Sequence, residues 1–157
     1  MLRLSKLTDY AVVVLVRLES SGGVTTSPCL SQDTGIPEPT VAKVLKALAA
    51  SGLVASQRGA RGGYRLARPL EQIPVASVIA AIDGPISITA CVDGAVGGCE
   101  AENACPVRGR WDPVNHAIRS ALTRITLAEM RADPMASRAP LFNVDPPPAP
   151  RQAPSAV

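Results

Sequence analysis

The sequence predicts a mainly α-helical fold with one small β-hairpin. Three observations predict it. Apolar residues recur at helical spacing in successive segments between Leu4 and Leu48. One glycine-rich turn, Arg58 to Gly63, separates two short strand-like runs. Hydrophobic residues make up 46% of the chain but aromatics only 3%, so the core must be built mainly from Ala, Val, Leu and Ile.

The elements follow in order. Leu4, Leu7, Ala11, Val14, Leu15 and Leu18 define an amphipathic helix over roughly residues 5–20, ended by Gly22 and Gly23. Ser27 as N-cap and Pro28 in the first turn open a short helix to about Thr34. Gly35, Ile36 and Pro37 make a turn. A third helix then runs from near Glu38 to Ala50, with Val41, Val44, Leu45 and Leu48 facing inward. Two helices joined by a short glycine-bearing turn are the helix-turn-helix pattern. Leu53 to Ser56 and Tyr64 to Ala67 read as the strands of a hairpin, which directly after a helix-turn-helix is a wing. Pro69 and Pro74 bracket a connector, and Val75 to Ile82 is a short helix stopped by Asp83, Gly84 and Pro85. After Cys105, Pro106 can open a further helix, but Gly109 and Pro113 complicate it, and a kink or restart is expected at Asp112-Pro113 as N-cap and first-turn pair. Ala117, Ile118, Ala121, Leu122 and Ile125 give it an apolar stripe, and Thr126 with Glu129 forms a capping-box pattern for a last short helix. From Pro134 onward seven of 24 residues are proline, so this tail is expected to be disordered.

With 157 residues the chain is long enough for one compact domain with an appendage. The longest apolar run, Ala11 to Val16, is far too short to cross a bilayer, and Arg3, Lys6 and Asp9 interrupt any signal-peptide pattern. The expectation is a cytoplasmic protein with no membrane partner, where clustered cysteines more often mean metal or redox chemistry than structural disulfides. No phosphate loop and no nucleophile–base pair is present, and there is one histidine, His116, so an enzyme is not expected. Net charge is only +3, but Arg58, Arg61, Arg65 and Arg68 fall in an acid-free stretch of eleven residues that suits phosphate contact.

The helix-turn-helix directs attention to the start of its second helix, whose first residues reach base edges in the major groove. These are Glu38, Pro39, Thr40 and Lys43. Glu38 can accept from a cytosine amino group, and Thr40 can contact a base or a phosphate. Arg58 and Arg61 at the wing tip are placed to enter a minor groove. The expected partner is a double-stranded DNA operator. The competing reading is a protein-binding winged helix with a solvated arginine turn.

Cys91, Cys99 and Cys105 stand in a C-x7-C-x5-C pattern within a glycine-rich stretch. Three soft thiolates suit iron–sulfur ligation. Two other readings stay open: a structural zinc site, and a reversible thiol switch. The fourth cysteine, Cys29, is expected to be a small buried residue of the helix-turn-helix.

Together, LTDYAVVVL, the helix-turn-helix, VASQRGARGGYRLARP, VIAAIDGP, the three cysteines and ITLAEM resemble the IscR/NsrR family of winged-helix regulators, the Rrf-two class, over about residues 1–130. The resemblance implies a winged helix-turn-helix plus a long dimerisation helix, a homodimer paired through that helix, and an iron–sulfur cluster on Cys91, Cys99 and Cys105 that controls operator binding. It divides the chain into a DNA-binding region 1–70, a connector helix 71–90, a cluster-binding loop 91–105, a dimerisation helix 106–130 and the tail 131–157. Members of the family govern iron–sulfur assembly, iron homeostasis or nitric-oxide response, and the first two are the expectation here. Clusters normally take a fourth ligand. In the IscR branch it is a histidine three positions after the third cysteine, where this sequence has Arg108. In the NsrR-like branch an aspartate of the Leu-Thr-Asp-Tyr segment reaches the other subunit's cluster, and the matching residue here is Asp9. Asp9 is equally an acid in a first helical turn, where it favours the dipole. The first cysteine spacing is longer than the C-x5-C of IscR, and the expected cluster is 4Fe–4S, with 2Fe–2S as the alternative.

Overall fold

The computed structural model describes residues 3–92 and 105–131. The elements follow as α1 (Lys6–Ser20), α2 (Ser27–Thr34), α3 (Glu38–Ala50), β1 (Val54–Gln57), β2 (Gly63–Leu66), a 3-10 turn (Leu70–Gln72), α4 (Val75–Asp83), α5 (Asp112–Arg124) and α6 (Leu127–Arg131). The fold is mainly α with one antiparallel hairpin, as the sequence predicts. Cys99 and the proline-rich tail lie outside the described residues.

The first three helices form where the apolar spacing places them. Ala11, Val14, Leu15 and Leu18 of α1 meet Val41, Val44, Leu45 and Leu48 of α3, with Leu30 of α2 between them. The N-cap of α2 is Thr26 rather than Ser27, and its hydroxyl accepts from the Cys29 amide at 3.4 Å. Ser5 caps α1 by accepting from the Thr8 amide at 3.2 Å.

The same core continues past the hairpin. Leu70, Ile73, Val75, Val78 and Ile79 join it, and so does Leu127 from the far end of the described chain. Leu127 is carried there by a backbone bridge between Pro74 and Thr126. In it the Val75 amide donates to the Ile125 carbonyl at 2.9 Å and the Leu127 amide to Ile73 at 3.0 Å. An Arg131–Glu19 ion pair ties α6 to α1. The predicted capping box is formed: the Thr126 amide donates to Glu129 at 2.6 Å, and the Glu129 amide donates to the Thr126 hydroxyl at 3.4 Å.

One expectation fails here. Pro106 opens no helix; the chain turns from Pro106 to Trp111, and α5 starts at Asp112, the expected restart, with Trp111 rather than Asp112 as its N-cap. Gly109 at φ 70° takes the backbone off the right-handed helical path, so the helix can begin only beyond it. Pro113 then falls in the first turn, where its missing N–H costs nothing.

Candidate DNA-reading face and cysteine site

α3 is held so that one face is buried and the other is free. Val41, Leu45 and Leu48 have no exposed surface, while Glu38, Pro39 and Lys43 are exposed and Thr40 is half-buried. Lys46, which sequence reasoning passed over, shares that outer face three residues after Lys43; the helical spacing from Lys43 was the signal for it. The turn before α3 is braced by side chains. The Ser31 hydroxyl donates to the Ile36 carbonyl and the Thr34 hydroxyl to the Leu30 carbonyl, each at 2.6 Å. An Arg17–Asp33 ion pair at 2.9 Å fixes α2 against α1.

The hairpin pairs Val54 with Leu66 and Gln57 with Gly63. Its turn presents Arg58 and Arg61, both exposed, as are Arg65 and Arg68. Two glycines are required by close packing. A Cβ on Gly62 would lie 2.7 Å from the Gln57 carbonyl oxygen, and one on Gly63 would lie 2.6 Å from that of Thr25. The second approach arises because Thr25 and Tyr64 exchange backbone hydrogen bonds of 2.9 and 2.8 Å, which pins the base of the hairpin to the segment leading into α2. The arginine turn and the outer face of α3 are therefore parts of one body.

The stem leading to the cysteines is anchored at two points. At its start, Asp83 accepts from the Thr8 hydroxyl at 2.7 Å and from the Ser5 amide at 3.3 Å. Partial burial works against the charge on Asp83, but the hydrogen bonds from Ser5 and Thr8 outweigh it and hold the carboxyl below its ordinary pKa. Further along, the Ile88 amide donates to the Asn115 side-chain oxygen at 3.2 Å. Asn115 is 3% exposed and lies on the inward stripe of α5 with Ile118 and Leu122. A polar residue in that register was the sequence signal for this bond.

Cys91 and Cys105 are free and half-buried, and the Cys91 sulfur lies 3.3 Å from the Thr89 hydroxyl. Asp9 is exposed in the first turn of α1, one residue from the buried Thr8. Among the described residues no three His, Cys, Asp or Glu side chains come together, so Asp9, Cys91 and Cys105 do not converge within one protomer. His116 and Arg108 are exposed. Cys29 is also exposed, against expectation: α2 buries only Leu30, and Cys29 lies off that single inward position.

The profile of the Rrf2 family, described as iron-dependent transcriptional regulators, matches residues 4–133. The chain belongs to the Rrf2 family. Among curated Rrf2-type relatives, it is 34% identical over 131 residues to the HTH-type transcriptional regulator IscR of Yersinia pseudotuberculosis, covering 82% of this chain and 79% of that one. Among solved structures, CymR (YrzC), the global cysteine regulator of B. subtilis, superposes with a TM-score of 0.62 at 26% identity, covering 83% of this chain and 96% of that one. T. potens IscR superposes with a TM-score of 0.57 at 27% identity, covering 82% and 85%. This Rrf2 protein is thus a DNA-binding transcriptional regulator by family. No helix among its described residues is long and apolar enough to cross a membrane.

Proposed function

We propose that the protein is a cytoplasmic, homodimeric regulator whose affinity for a DNA operator is set by an iron–sulfur cluster on Cys91, Cys99 and Cys105, with Asp9 of the other subunit as fourth ligand. The processes under control are iron–sulfur assembly or iron homeostasis. The observation that carries this reading is the placement of Cys91 and Cys105. Both are free, half-buried thiols at the two ends of the segment that holds Cys99, and the stem before Cys91 begins at Asp83, which is hydrogen-bonded to Thr8 of α1, the helix that packs on α3 and the wing. Three thiolates and a carboxylate suit iron in a sulfur-rich site. When bound, such a cluster supplies a group that oxygen, nitric oxide or iron scarcity can alter.

The chain's own residues account for the rest. Glu38, Pro39, Thr40 and Lys43 on α3 face the major groove, and Arg58 and Arg61 on the wing reach a minor groove. Asp9 would be a harder and weaker ligand than the thiolates and so the labile corner of the site. Asp9 rides on α1, which packs on α3, so a change at Asp9 would shift the two recognition helices of a dimer relative to each other. Half-site spacing is a strict geometric requirement, and a small rotation changes operator affinity. An open groove of 790 Å³ supports the dimer: Leu4, Ile79, Ile86, Ile88, Ile118 and Leu122 give it an apolar floor, with Arg3, Lys6 and Asp83 also in its lining.

Native mass spectrometry of protein purified without oxygen tests the proposal. The expected result is a dimer carrying the mass of an iron–sulfur cluster on each subunit. That mass gives the cluster type, 4Fe–4S ahead of 2Fe–2S, and it should be lost on Cys99→Ser. A dimer carrying zinc, or a metal-free dimer with a reducible disulfide, would replace the cluster by a structural site or a thiol switch.

A further inference from the structure

α4 ends in an acid, which is the wrong charge for its position. The carbonyl end of a helix carries partial negative charge and disfavours a carboxylate, and α4 has no basic residue in its last turn to offset Asp83. The offset comes from elsewhere in the chain. One oxygen of Asp83 accepts from the Thr8 hydroxyl at 2.7 Å and from the Ser5 amide at 3.3 Å, so the carboxylate sits at the N-terminal, positive end of α1. Ser5 in turn caps the Thr8 amide, and the two hydroxyls lie 3.3 Å apart. Thr8 is 2% exposed, so its side of the contact is buried, while Asp83 reaches it from the exposed end of α4. The next residue is Asp9, which is exposed.

We infer that Asp83 is a positioning residue that clasps the first turn of α1 and so aims Asp9 from the same stem that presents Cys91. A helix is stiff over adjacent residues, so fixing Thr8 fixes the direction in which the Asp9 side chain leaves. From Asp83 the chain runs eight residues to Cys91, held on the way by the Asn115–Ile88 bond and, just past Cys91, by the buried Val92. The inference rests on the cluster reading above, and it adds a reciprocal arrangement. If Asp9 serves the partner's cluster, the stem of each subunit orients the ligand delivered to the other. A disturbance at one site is then transmitted to the other through a single carboxylate.

The test uses full-length dimers loaded without oxygen: wild type, Asp83→Ala, Asp83→Asn, Thr8→Val, Asp9→Ala and the double variant Asp9→Ala with Asp83→Ala. Each is mixed with excess iron chelator and the decay of visible absorbance is timed. Asp83→Ala and Thr8→Val are expected to lose absorbance about tenfold faster than wild type, the scale of one charge-assisted hydrogen bond. Asp83→Asn keeps an acceptor oxygen and should fall between. The double variant should decay no faster than Asp9→Ala, because Asp83 acts only through Asp9; a purely structural role would multiply the two effects. Equal decay in wild type and Asp83→Ala, or a double variant at the product of the single rates, overturns the inference. A wild type that takes up no iron and sulfide refutes the cluster reading instead. The clasp is then decided on metal-free protein by hydrogen exchange. Amides of residues 5–9 exchanging about fivefold faster in Asp83→Ala support it, and unchanged exchange overturns it.

Discussion

Replacing Gly63 by alanine should separate the wing from the rest of the reading surface. The added methyl carbon would lie 2.6 Å from the Thr25 carbonyl oxygen, 2.9 Å from its carbon and 2.9 Å from a Val24 methyl. Two of those three atoms are backbone, so no rotamer change relieves the clash. The Thr25–Tyr64 pairing must open, and its two hydrogen bonds of 2.8 and 2.9 Å are lost or lengthened. At about 1 kcal/mol per hydrogen bond, with some packing lost around the half-buried Tyr64, the cost is about 2 to 3 kcal/mol. Urea denaturation reads this as a lower midpoint at unchanged slope. Gly23→Ala is the control in the same segment: nothing lies within 4 Å of its added carbon and its backbone is outside the left-handed region. It should be neutral or stabilise by about 0.4 to 1 kcal/mol through the unfolded chain. Operator binding by fluorescence anisotropy should fall in Gly63→Ala and not in Gly23→Ala, because Arg58 and Arg61 move with the hairpin. A Gly63→Ala protein within about 0.5 kcal/mol of wild type would show that the pinned wing base is not a constraint.

Further predictions follow from the site. Arg58→Ala and Arg61→Ala should each reduce the slope of log affinity against log salt by about 0.9 if each side chain meets one phosphate, measured by titration at several salt concentrations. Asn115→Ala leaves the Ile88 amide without its acceptor and should cost about 1 to 2 kcal/mol in thermal or urea unfolding. Asp83 has a folded-state pKa below its unfolded value, so its contribution is fully present above the unfolded pKa and is lost as pH falls through the folded one. The acid limb of the stability curve, below about pH 4, should therefore be shallower in Asp83→Asn than in wild type.

The helices of the reading half were legible because each buries one face, and a buried face leaves a 3.6-residue trace in the order of Leu, Val and Ala. The hairpin was legible because its turn concentrates glycine. What was not legible depends on partners far away in sequence. Asp83 and Thr8 are 75 residues apart, and neither residue type marks the bond. Cys29 was misread because burial of free cysteine is a general tendency, while its position on α2 is set by a helix with only one inward residue. After Cys105 the helix start expected at Asp112-Pro113 is found, while the one that Pro106 permits is not, because Gly109 lies between them. For the proposed cysteine site the sequence supplies the candidate thiols, and the described residues supply the bonds along the stem before Cys91: Asp83 to Thr8 and Ile88 to Asn115.

The closure of the core by Leu127 has a consequence for how the protein is made. On the ribosome the chain emerges from its N-terminus, and α1 to α4 become available early. Their shared core still lacks Leu127 and the Pro74–Thr126 bridge until nearly the whole described chain has left the exit tunnel. Cys91, Cys99 and Cys105 all emerge before that point. Synthesis therefore exposes all three of these thiols before the core beneath the DNA-reading surface is closed.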